Sequence, residues 1–172
     1  VLFRRQRQMC IRDRYKGIKF FEKHYKTVMP FEIIIDTHRK NGITKLSTLK
    51  RMDQLTDSLM NYKEFSRPLS IVDPIKYSKR AIYNGEEQFY TLPNSQEKRW
   101  LFDYTIKSES LNKSMEALID KNKQVGRISL YITDIGTSRM NEIKKDLRLM
   151  IDELFNPETV SYTHLRAHET SQ

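Results

Sequence analysis

The 172-residue chain has one cysteine (Cys10), one tryptophan, five glycines, five prolines and no long hydrophobic run. Each shortage excludes something. A single thiol can form neither an intramolecular disulfide nor a cysteine-ligated zinc site. Gly126 and Gly136 fall in no GxGxxG or GxxxxGK[ST] pattern, so no phosphate-cradling loop is encoded. The densest apolar run, Ile33 to Ile35, is flanked by Glu32 and Asp36. It falls far short of the ~18 to 20 residues that span a bilayer. No signal peptide, repeat or low-complexity tract is visible.

What the chain does have is positive charge: 31 Lys and Arg against 22 Asp and Glu, a net of +9. Much of the surplus sits in the opening VLFRRQRQMCIRDR, which has the look of a basic arm for nucleic acid. The opposite terminus argues against that reading. Gln8 to Asp13 can be encoded CAG ATG TGT ATA AGA GAC, whose reverse complement, GTC TCT TAT ACA CAT CTG, translates as Val160 to Leu165 in order. Folding has no use for such an inversion, whereas an inverted DNA repeat produces it directly. RQRQMCIRD and VSYTHLRAHET also resemble the translated arms of the transposon mosaic end used in sequencing-library adapters. Residues 1–14 and 160–172 are therefore expected to be adapter-derived tails, to be set aside before fold reasoning.

Without the tails the balance changes. Arg4, Arg5, Arg7, Arg12 and Arg14 against Asp13, with Arg166 offset by Glu169, account for +4 of the total and leave +5 on the remainder. A charge of that size suits ordinary solubility and gives little reason to invoke nucleic acid. Cys10 is lost with the first tail. His164 and His168, spaced i, i+4 like a helical metal pair, go with the second. Residues 15–158 are long enough for one domain that buries roughly two-thirds of its unfolded surface.

Within that segment, Phe31 to Thr37 reads as a buried strand entered from Pro30 and left through the turn His38 to Gly42. Ser47 is placed to cap a helix whose Leu49, Met52, Leu55 and Leu59 recur at helical spacing, ending near Tyr62. Pro68 to Val72 reads as a second short strand. Asp73-Pro74 should start a helix that ends in a left-handed cap at Asn84-Gly85. Residues 86–123 read as an insert with short helices at 95–104 and 110–120. Arg127 to Thr133 alternates apolar and polar residues, as a half-buried strand does. After the turn Gly136 to Ser138, a helix carries Met140, Ile143, Leu147, Met150, Ile151 and Leu154 as one stripe, stopping at Asn156-Pro157. The order strand, helix, strand, helix, insert, strand, helix implies an α+β fold with helices on one face of the sheet. Ile33, Ile35, Leu55, Ile71, Ile128, Leu130, Ile143, Leu147 and Leu154 are expected to form its core.

Few residues suggest chemistry. Asp36 and Asp134 end strands, where catalytic carboxylates often sit, but aspartate in that position is more often a turn or cap residue. His24 and His38 have no acidic or cysteine partner at ligand spacing and read as surface histidines. Trp100, Phe102 and Tyr104 could line a hydrophobic groove, though core or interface packing is the commoner role. No catalytic, cofactor-binding or metal-ligating residue is assigned, and no cofactor is expected.

The segments MPFEIIIDT (29–37), RPLSIVDPIKYSKRAIYNG (67–85), YTLPNSQEK (90–98) and RISLYITDIGTSRMNEI (127–143) resemble the first large extracytoplasmic domain of RND-superfamily exporters of the MMPL-like branch. The resemblance implies a ferredoxin-like, split βαβ porter module on the periplasmic side of a bacterial inner membrane. It further implies that proton coupling resides in transmembrane helices outside this segment. The implied partners are the rest of the same transporter chain, its sister porter domain, a neighbouring or accessory subunit, and a hydrophobic or lipid substrate. A nucleic-acid-binding module on a similar sheet is the rival reading. It would need an RNP1 strand, and RISLYITD lacks the required glycine and aromatics. The segment stops where a closing strand should follow, so a sheet edge is expected to be left open or filled by Val160 to Leu165.

Overall fold

The structure, a computed structural model, describes residues 20, 29–107, 115–155 and 161–163, with backbone alone for 102–107 and 161–163. Strand β1 (Met29–Asp36) pairs antiparallel with β2 (Val125–Ile132) along its whole length, from Met29 opposite Ile132 to Asp36 opposite Val125. Both strands alternate. Phe31, Ile33 and Ile35 of β1 point inward with Gly126, Ile128, Leu130 and Ile132 of β2. Glu32, Ile34, Arg127, Ser129 and Tyr131 take the outer face, so β1 is covered on one side only and Ile34 is half-buried. On the other edge of β1, strand β3 (Ser161–Thr163) pairs antiparallel opposite Ile34 to Asp36.

The strand expected at 68–72 does not form. Two isolated bridges, Phe65 to Ile132 and Leu69 to Ser129, run along the free edge of β2 instead. The interruption has local causes. Pro68 has no N–H to give a ladder, and the Ser66 hydroxyl, not a backbone carbonyl, accepts the Tyr131 N–H at 2.9 Å. Val72 is then drawn into a helix, with Ile71 as its N-cap residue. The Asp73 carboxylate accepts the Ser70 N–H at 2.9 Å while the Ser70 hydroxyl accepts the Val72 N–H at 3.3 Å, a reciprocal cap that starts the helix early. The positions across the sheet are thus β3, β1, β2 and the bridged segment, all antiparallel.

Helices α1 (Leu46–Leu59), α2 (Val72–Ile82), α3 (Ser95–Lys107) and α4 (Gly136–Leu154) complete the described fold, with a short 3₁₀ turn at Glu87–Phe89. Helix α1 begins one residue before Ser47, which makes no cap. Helix α2 ends at the expected left-handed pair, Asn84 and Gly85, and the Gly85 N–H reaches back to the Arg80 carbonyl at 2.8 Å. Asn94 caps α3, its side chain accepting the N–H groups of Gln96 and Glu97 while the Glu97 carboxylate accepts the Asn94 N–H. That helix continues three residues past the expected end. Of the second insert helix, Met115 and Glu116 are helical, and 110–114 lie outside the described residues.

One hydrophobic cluster fills the space between the inner sheet face and the helices. It takes in Leu49, Met52, Leu55 and Leu59 of α1, Ile71, Val72 and Ile75 around α2, and Met140, Ile143, Leu147 and Ile151 of α4. Met150 and Leu154 pack at its margin, so the buried stripe of α4 is narrower than the sequence spacing implies. Leu101 and Met115 belong to the same cluster, which makes the insert part of the core.

Beyond β1 the chain turns through residues 37–45 and interlocks with the turn that precedes β2. Thr37, Asn41 and Ile43 donate their N–H groups to the carbonyls of Gln124, Asn122 and Lys123 at 3.0 to 3.1 Å. Gly42 sits where the turn is tightest. A Cβ there would stand 1.9 Å from Thr37 Oγ1 and 2.8 Å from the Arg39 carbonyl oxygen. Gly42→Ala should therefore destabilise the domain by about 1 to 3 kcal/mol, the cost of overpacking a site that cannot relax. Urea unfolding of the two proteins checks this, and an unchanged midpoint would mean that the turn yields freely.

Candidate functional site

Asp36 and Asp134 do not meet. Asp36 ends the β1–β2 ladder at one end and Asp134 lies beyond the other, on the order of 25 Å apart along the strands. Each instead organises its own turn. Asp36 Oδ1 accepts the His38 N–H at 2.7 Å and the Gln124 side-chain amide at 3.0 Å, and Asp134 Oδ1 accepts the Gly136 N–H at 3.3 Å. His38 is exposed, its Nδ1 3.6 Å from Asp36 Oδ2. Trp100 is 40% exposed. The Phe102 and Tyr104 side chains, His24, Cys10, His164 and His168 fall outside the described residues.

A different set of residues makes an open groove of about 770 Å³ on the outer side of the β2 edge. The bridged segment supplies Arg67, Pro68 and Leu69, the start of α2 supplies Asp73, Pro74 and Tyr77, and Tyr90, Leu118, Arg127 and Ser129 close it. Its walls are mainly apolar, and Leu69 and Tyr77 are half exposed although both are large hydrophobic side chains. Leu69 is held outward because its N–H and C=O both bond Ser129, which fixes the pleat. Tyr77 stands on the face of α2 opposite Ile75, Ser78 and Lys79.

The polar groups of the groove are tied to one another. Arg67 Nη2 donates to the Tyr90 hydroxyl at 3.2 Å and lies 3.7 Å from Asp73 Oδ1. Arg127 is fixed between Glu32, at 3.2 Å, and the Ala117 carbonyl. Burial, and then the negative charge of Asp73, push the Tyr90 phenol above its ordinary pKa, so it stays protonated at neutral pH. The arrangement can receive an apolar surface and orient a polar end against Arg67.

Beside the groove, α2 and α3 are joined by a nearly buried ion pair. Lys79 Nζ lies 3.0 Å from Glu97 Oε2 and also reaches the Thr91 hydroxyl and the Leu92 carbonyl. The Tyr83 hydroxyl donates to Glu97 Oε1 at 3.0 Å. Burial by itself would raise the Glu97 carboxyl. The Asn94 N–H, Lys79 and Tyr83 together outweigh it and hold the group below the ordinary glutamate range.

Sequence reasoning did not find the groove, because its members are spread from Arg67 to Ser129 and no local pattern joins them. Two signals were available: the leucine in RPLS beside a proline, and Tyr77 on the polar side of a helical period. Among the described residues no three His, Cys, Asp or Glu side chains are grouped to hold a metal ion, and no helix is long and apolar enough to cross a membrane. No family model and no curated protein matches the chain.

Proposed function

We propose that this chain carries a ferredoxin-like, porter-type module, the non-catalytic extracytoplasmic domain of a proton-driven, RND/MMPL-like exporter of hydrophobic or lipid molecules. The observation that carries the reading is the strand order. One strand–helix–strand half, β1–α1–bridged segment, interleaves with a second, β2–α4, that lacks a closing strand of its own, so that β1 and β2 are central and the core helices lie on one face. Such an order supports a split βαβ module truncated before its last strand. The quoted segments 29–37, 67–85, 90–98 and 127–143 support the family, and the apolar groove supports passage of a hydrophobic molecule along the domain. In this reading the domain shapes a path and moves as a body against its neighbours, while proton coupling belongs to membrane helices elsewhere in the transporter.

Residues 1–14 and 160–172 are, on the same reading, translated adapter. The edge position beside β1 is then occupied by Ser161–Thr163 from the second of these, a segment whose alternation suits a strand. Sequencing the source locus without adapters tests both claims separately. Apolar segments of about 20 residues on both flanks are the expected result for the exporter. A start codon near Tyr15 and a stop near Glu158 would sink it. Finding the codons for Gln8 to Asp13 in the native locus would overturn the adapter origin alone.

A further inference from the structure

The two interlocked turns at the end of β1 and the start of β2 carry a concentration of unneutralised charge. Arg39, Lys40 and Lys45 stand on the first turn, Lys121 and Lys123 on the second. None of their side chains has a carboxylate partner among the described residues; elsewhere Lys76, Lys79, Arg80, Arg127 and Arg139 have one, while Lys50, Lys63, Lys144, Lys145 and Arg148 do not. The reason lies in the two acids that share this pole. Both bond to groups within the turns, not to the lysines. Asp36 is occupied by the His38 N–H and Gln124, and Asp120 accepts the N–H groups of Asn122, Gln124 and Val125 at 2.6 to 3.0 Å. Both keep their negative charge while they shape the turns, so residues 36–45 and 119–125 carry five Lys and Arg against two Asp, a net of +3.

A second observation is independent of charge. Of the four non-glycine residues with positive φ among the described residues, three lie here: His38 at 50°, Asn41 at 58° and Lys123 at 54°. Left-handed backbone at His and Lys costs energy, and such strain persists where the surroundings over-determine it and gathers at binding elements. The turn-to-turn bonds of Asn41 and Ile43 supply that over-determination. The cations are therefore displayed on a stiff double turn and not on a floppy loop.

We propose that this pole docks an acidic protein segment, a run of Asp and Glu on a partner chain. The composition of the pole favours that partner over other polyanions. Residues 36–45 and 119–125 contain no Phe, Tyr or Trp, so there is no platform on which bases could stack. Ile43 is fully buried and Ile119 and Val125 are partly buried, so no large apolar side chain stands free for insertion into a bilayer. What remains is a set of point charges about one strand spacing apart on two adjacent turns, suited to carboxylates along an extended chain.

The test uses the full chain and a fluorescent poly-glutamate peptide as probe, titrated at low and at physiological salt. Two double variants with the same change in net charge are compared, Arg39→Glu with Lys40→Glu at the pole and Lys145→Glu with Arg148→Glu on the exposed side of α4. All four side chains are exposed, and circular dichroism of both variants checks that they fold. The pole variant should weaken binding by about tenfold or more, the α4 variant by no more than about twofold, with both affinities falling as salt rises. Equal losses in the two variants would reduce the interaction to net charge and overturn the proposal. So would a greater pole-dependent affinity for an oligothymidylate or for phosphatidylglycerol vesicles than for poly-glutamate.

Discussion

Truncating Leu147 to alanine should cost about 2 to 5 kcal/mol, the range for removing a large aliphatic side chain from a site that cannot fully collapse. Leu147 is 1% exposed and lies on α4 between Ile143 and Ile151, in the cluster that joins this helix to α1 and the inner face of the sheet. Since a domain of this size has roughly 5 to 15 kcal/mol of stability in all, the variant should unfold at a markedly lower urea concentration with an unchanged slope. A loss within about 0.5 kcal/mol would mean that α4 does not pack on the sheet. Leu149, two positions away and 71% exposed, is the natural control, and its truncation should fall inside that same margin.

Replacing Glu97 by alanine should cost roughly 3 kcal/mol, the lower end of the range for removing one partner of a buried pair. Lys79, 8% exposed, would keep only the Thr91 hydroxyl and the Leu92 carbonyl, and α3 would lose half of its reciprocal cap. The double variant Lys79→Met with Glu97→Gln should recover part of that loss, because no unpaired charge is left inside. The pair also fixes a pH dependence. Glu97 has a lower pKa folded than unfolded, so the unfolded chain binds its proton first as pH falls. Its contribution is complete above the ordinary glutamate pKa and drains away as pH falls through the depressed folded value. Wild type should accordingly lose stability below about pH 4.5 more steeply than Glu97→Gln does, measured as urea midpoints across that range.

What could be read in advance follows a physical line. Inward positions of β1, β2 and α4 were legible because burial imposes a period, of two on Phe31, Ile33 and Ile35 and near 3.6 on Met140, Ile143 and Leu147. The Asn84-Gly85 cap was legible because left-handed backbone selects its residues. Residues 68–72 were misread as a strand ending in an Asp73 cap. Both capping boxes, S-I-V-D at 70–73 and N-S-Q-E at 94–97, were present in the letters. The first shifts the helix start by two residues, to Val72, and makes Ile71 its N-cap residue instead of a strand residue. The groove and the cationic pole were hidden for another reason. Each depends on which residues are brought alongside β2, and on whether the acids nearby are free, and neither is a local property of the chain.

The register of the central pair also governs how the chain must be made. Glu32 faces Ser129, so β1 leaves the ribosome about 97 residues before the strand it pairs with. At roughly 5 to 20 residues per second, that is on the order of 5 to 20 s during which the apolar side of β1 has no sheet partner. Helix α1, following within ten residues of β1, is the nearest element able to cover Phe31, Ile33 and Ile35 in that interval. If α1 covers β1 during synthesis, variants that weaken α1 should lower soluble yield out of proportion to their effect on the finished fold.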